Sequence, residues 1–66
     1  MEEQLKVLLE VIWEKERKAE DCRKHAEKYK AAGNSQKVEL FESTATEHER
    51  KAKALIAIYQ QMKVLS

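Results

Sequence analysis

The sequence predicts an all-α protein: an antiparallel, coiled-coil-like two-helix hairpin that self-associates into a four-helix bundle. Three observations lead there. The 66 residues hold no Pro, one Gly and 38% charged residues, a composition of helix formers. Apolar and small residues recur in alternating steps of four and three on either side of the centre, the period of helices packed side by side. The phase of that recurrence breaks at the only Gly. Disorder is the competing outcome for so charged a chain, but 42% hydrophobic residues and a net charge of +1 leave little self-repulsion to sustain it.

The first helix is expected over about residues 2–32. Its stripe is Leu5, Leu8, Ile12, Ala19, Cys22, Ala26 and Tyr29, interrupted only by Lys15. The turn is expected at 33–35. Gly33 suits the position after a helix C-terminus, where a left-handed backbone costs it nothing, and Asn34 or Ser35 can then cap the next helix by accepting backbone N–H groups. The second helix is expected over about 35–65, with the stripe Val38, Phe41, Ala45, His48, Ala52, Leu55, Tyr59 and Met62. Continuing the first heptad would place core positions at Gln36 and Leu40 instead, so one straight helix would send the two stripes in different directions. A reversal tolerates the shift. The whole chain, 1–66, is thus one helical hairpin domain, and exposed turn residues such as Lys30 and Lys37 are expected to be nearly silent to substitution.

A fold-back at Gly33–Asn34 brings together residues whose numbers sum to about 67. Tyr29 then meets Val38, Ala26 meets Phe41, Cys22 meets Ala45, Ile12 meets Leu55, Leu8 meets Tyr59 and Leu5 meets Met62. Large residues often face small ones, as even packing density requires. Among the flanking charges Arg23 is expected to approach Glu42, while Glu16 shares a side with Glu49 and Lys18 with Lys51.

Apolar residues crowd the end away from the turn. Val7, Leu9, Val11 and Trp13 lie off the first stripe, and Ile56, Ile58 and Val64 off the second. A helix apolar on more than one face needs more than one neighbour. Leu5, Leu8, Leu9, Ile12, Trp13, Leu55, Ile56, Ile58, Tyr59 and Met62 are therefore assigned to self-association or partner binding, with Trp13 the largest anchor. A chain this small is marginal as a lone globule, and one Cys allows no internal disulfide. A homodimer is the economical solution, with an unidentified protein as the further partner.

No catalytic, cofactor or metal site is expected. Cys22-x-x-His25 places two ligand types on neighbouring turns, but a structural zinc site needs four and the chain has no second such pair. Cys22 reads as a small core residue and His25 as a surface one. His48 sits on the core stripe near Ala19, where Glu16 or Glu20 offers a carboxylate partner. Di-iron bundles need Glu-x-x-His, and the residues three before His48 and His25 are Ala45 and Cys22, which excludes the motif. Ser35, Ser43, Thr44 and Thr46 are hydroxyls without a pocket or oxyanion hole, and no Gly-rich phosphate loop exists.

Nucleic acid is the alternative partner. Arg17, Lys18, Lys24 and Lys28 lie along one outer face of the first helix, and Arg50, Lys51 and Lys53 cluster on the second. Dimeric helical hairpins of the plasmid Rop type, which bind RNA through such faces, are a fold-level precedent. Glu14, Glu16, Glu20, Asp21 and Glu27 are interleaved with these bases, however, and i,i+4 pairs such as Glu20–Lys24 and Glu49–Lys53 are ordinary support for solvated helix faces. A near-neutral domain lacks the phosphate attraction that dominates nucleic-acid affinity. Residues 29–45 resemble a tetratricopeptide-repeat turn in Tyr29, Gly33 and Ala45. The likeness ends at Val38, where that repeat has a small residue, and at Glu42, where it has an aromatic, so no family is assigned. The acidic start, with Lys6 and Glu10 interrupting the first apolar run, argues against a secretory signal. No window is apolar enough for a membrane span, and the lone Cys fits a reducing compartment. The expected character is a small cytoplasmic regulator of bacterial or phage type.

Overall fold

A computed structural model describes residues 2–65 as α1 (Glu2–Ala31) and α2 (Ser35–Leu65), folded back along one another. The Cα envelope measures 50 × 15 × 10 Å, a single layer two helices wide and one helix thick. Glu2 and Glu3 in the first turn of α1, and Lys28 and Lys30 in its last, oppose the partial charges of the helix ends.

The reversal is a tight one, over residues 32–34, one residue earlier than the sequence suggests. Gly33 adopts φ 77°, its N–H donates to the carbonyl of Lys30 (3.1 Å), and the Asn34 N–H reaches back to Tyr29 (2.9 Å). That paired closure satisfies two carbonyls that a helix end leaves orphaned. Asn34 then serves the next helix. Its carbonyl accepts the first helical bond, from the Val38 N–H at 3.1 Å, and its side-chain oxygen accepts the Lys37 N–H at 3.3 Å. Asn34, not Ser35, is the cap.

Lys37 makes a contact that the spacing does not foresee: its ammonium lies 4.9 Å from the centre of the Tyr29 ring. A cation over an exposed ring contributes about 0.5–1 kcal/mol. Beneath it, Tyr29 stacks on Phe41 with centroids 5.5 Å apart, and His25 meets the same ring at 5.3 Å. These aromatics close the turn end of the seam and sit within one helical turn of the expected register. His25 is exposed as expected, yet it packs against a neighbour.

The seam between the helices is built from the two stripes. Its fully buried positions are Ile12, Ala19 and Ala26 on α1 and Ala45 and Ala52 on α2. Each set steps by seven residues, so each returns to the same side of its helix. Leu5, Leu8, Lys15, Cys22 and Tyr29 on α1, and Val38, Phe41, His48, Leu55, Tyr59 and Met62 on α2, are half-buried along the same line. A buried methyl contributes about 0.8 kcal/mol, so this alanine-lined seam is closely apposed but weakly driven. Among the described residues, Ile12 is its only large buried side chain.

One expected contact is replaced. Arg23 donates to Glu49, not to Glu42. Cα–Cβ bonds tilt toward the N-terminus of their own helix. On α1 that direction is the open end and on α2 it is the turn, so Arg23 and Glu49 lean toward each other while Glu42 leans away. The same pairing neutralises Glu49, which the sequence places beside Glu16.

Candidate interaction surface at the open end

Away from the turn the two helices leave a groove on one face of the layer, about 490 Å³ in volume, lined by Val7, Leu8 and Val11 of α1 and Ile58 and Met62 of α2. Glu3 and Gln4 form its outer edge. Val7 and Val11 are four residues apart and so stand one above the other, as do Ile58 and Met62. The groove floor is the seam itself; its walls are these two ridges.

The opposite face is different. There Leu5, Leu9 and Tyr59 are accompanied by Glu2, Glu3 and Lys6. Trp13, four residues beyond Leu9, continues that side of α1, 57% exposed and surrounded by Glu10, Glu14, Arg17, Lys18 and Asp21. A third apolar strip, with Ile58, Val64 and Leu65, lies on the outside of α2.

The ten residues assigned from sequence therefore do not form one surface. Leu8, Ile58 and Met62 lie in the groove. Leu5, Leu9 and Tyr59 lie on the opposite face, and Trp13 is turned outward among charges. Ile12 is 2% exposed inside the seam, so it holds the hairpin together and is not offered to a partner. Leu55 is half-buried on the seam line, and Ile56 is half-buried beside it. Val7 and Val11, which the site assignment omits, are groove walls. Their signal is present in the sequence as an i,i+4 pair of β-branched residues set off the stripe.

The basic residues Arg17, Lys18, Lys24, Lys28, Arg50, Lys51 and Lys53 are all exposed. Three of them hold acids of their own helix: Lys18 with Glu14 at 3.2 Å, Lys24 with Glu20 at 3.8 Å and Arg50 with Glu47 at 2.9 Å. The hydrogen bonds and charge of Arg50 hold the Glu47 carboxyl below the usual carboxylate range. Whatever this pair adds to stability is present at neutral pH and lost as pH falls through the lowered value, and full exposure leaves it open to screening by salt.

The remaining candidates are tied into the helices. Thr44 and Thr46 donate their hydroxyl protons to the carbonyls of Leu40 (2.9 Å) and Glu42 (3.0 Å). His48 has a buried Nδ1 with no hydrogen-bond partner, so neither Glu16 nor Glu20 takes the expected role there. Cys22 is a half-buried free thiol. Among the described residues, no group of three or more His, Cys, Asp and Glu is placed to hold a metal ion, and no helix is long and apolar enough to cross a membrane.

No protein-family model, curated protein or solved structure matches the chain.

Proposed function

We propose that the hairpin is a non-enzymatic protein–protein interaction module, an adaptor, regulator or inhibitor. It acts as a helical-bundle homo-oligomer, in the first instance a homodimeric four-helix bundle, with an unidentified protein as its further partner. One observation carries the reading. The large apolar side chains of the open end stay outside the seam, with Val7 at 51%, Trp13 at 57% and Ile58 at 47% exposure, while the seam itself buries one isoleucine and four alanines. Side chains of that size left exposed on both faces of so thin a layer point to an interface. The interleaved acids of the outer faces, three of them already paired with the bases a polyanion would need, favour protein over nucleic acid.

Sedimentation equilibrium of the 66-residue chain at micromolar concentration is the test. A particle of twice the 7.7 kDa chain mass is expected. A monomer across that range would sink the self-association and leave the open end as a docking site for another protein. Salt-sensitive RNA binding that disappears when Arg17, Lys24 and Lys28 become Glu would overturn the protein-binding reading.

A further inference from the structure

We infer that the groove of Val7, Leu8, Val11, Ile58 and Met62 is the surface on which a second copy of this chain docks, and that the opposite face is left outside the pair. The inference rests on the self-association proposed above and assigns it to one of two faces. The exposed area is large enough for such a contact. The hairpin exposes 5,335 Å², whereas a compact protein of its mass exposes about 4,300 Å². The surplus of about 1,000 Å² is close to the roughly 800 Å² that each partner contributes to a stable interface. One face of the layer can supply it.

Desolvation favours the groove. Closing the groove covers five apolar side chains and brings only Glu3 and Gln4 to the rim, where water still reaches them. Glu3 borders both faces, but closing the other face would in addition strip water from Glu2 and Lys6 around Leu5, Leu9 and Tyr59. Burying unpaired charge costs far more than the apolar atoms there return. Its shape also suits a second copy. A symmetric dimer uses the same patch on both chains. The groove has a Val7–Val11 ridge on one wall and an Ile58–Met62 ridge on the other, so a two-fold-related copy can set its ridge between them. Valines in a helix occupy essentially one rotamer and lose little entropy on burial.

Two sets of variants test the assignment. Val11→Glu and Ile58→Glu should weaken the dimer by about a hundredfold in sedimentation equilibrium, as a charge placed inside an apolar contact does. Leu9→Glu and Trp13→Glu should leave it within a few-fold of the parent. The reverse pattern overturns the inference while leaving self-association intact, and a monomeric parent chain fails the earlier reading instead. Because a groove glutamate can also loosen the helices, the second set keeps the surface apolar. In a Cys22→Ala background, Val7→Cys and Val11→Cys should give covalent dimers with a short bis-maleimide at unchanged helicity, and Trp13→Cys should not. Equal cross-linking at Trp13, or none in the groove from a dimeric chain, would show that the second copy sits elsewhere.

Discussion

Gly33 shows how little of this fold depends on any one side chain and how much on one backbone angle. Its φ is 77°, and a Cβ built there would meet nothing within 4 Å. A replacement is therefore limited by strain and not by space. The left-handed region costs an ordinary residue about 1–2 kcal/mol, and β-branched residues suffer more because the branch crowds the carbonyl. Gly33→Ala should lower the melting temperature by roughly 4–16 °C in a circular-dichroism scan and Gly33→Val by more, with helicity at 20 °C retained for the first. Equal melting of Gly33→Val and the parent would show that the turn is not held in this conformation. At this scale the sequence is legible where a residue type has one use. A single Gly between two stripes can only mark the reversal. Asn34 and Ser35 are equivalent caps by residue type, because both carry a side-chain oxygen, and the bonds from the Lys37 and Val38 N–H groups to Asn34 separate them. Lys37 itself was illegible, since its reach to Tyr29 depends on a rotamer that no spacing encodes.

The helices meet along alanines, and this sets what each element tolerates. Ala45 and Ala52 are 0% and 2% exposed, so their methyl groups are already covered by the facing helix. Leucine is nearly as good a helix former as alanine and far more hydrophobic; judged by propensity and hydropathy alone, Ala52→Leu would be neutral or better. In the closed seam it must push the helices apart, which costs about 1–3 kcal/mol. His48 gives the opposite expectation. Its Nδ1 is buried without a partner, and replacing a polar atom that has lost water by a hydrocarbon of similar bulk removes a penalty of about 1–3 kcal/mol. Urea titration should thus place the midpoint of Ala52→Leu below the parent and that of His48→Leu above it. A stabilised Ala52→Leu would mean that the seam is loose, and a destabilised His48→Leu that the imidazole has a partner after all. The stripes were readable because the helical period alone decides which residues face the neighbouring helix. The grouping of the open-end residues was not, because the period says that Val11 and Leu9 are off the stripe without saying that they flank it on opposite sides of the layer. That depends on which way α2 lies against α1. The Arg23 partner failed for a related reason: the lean of the side chains, not the level of the Cα atoms, selects Glu49 over Glu42.

As a whole molecule, the hairpin is a layer one helix thick, and a layer has no interior apart from its seam. An apolar side chain off the seam stays wholly or partly exposed unless another body covers it, which is why size, not chemistry, is the strongest argument for association here. The consequence is thermodynamic. If folding and association are one event, the unfolded chains are separate and the folded ones paired, so stability depends on protein concentration. Two chains of 66 residues unfolding together carry an enthalpy of about 90 kcal/mol, from which a tenfold rise in concentration should raise the melting temperature by roughly 5 °C. A hairpin that folds alone and only later finds a partner would melt at one temperature at all concentrations where it is monomeric. Scans at a few micromolar and at a few hundred micromolar separate the two. A shift of about 10 °C across that span would make the pair the folding unit, with the weak alanine seam completed from outside. A constant melting temperature from a chain shown to be monomeric would mean that one isoleucine, four alanines and the aromatic closure at Phe41 suffice to hold two thirty-residue helices together.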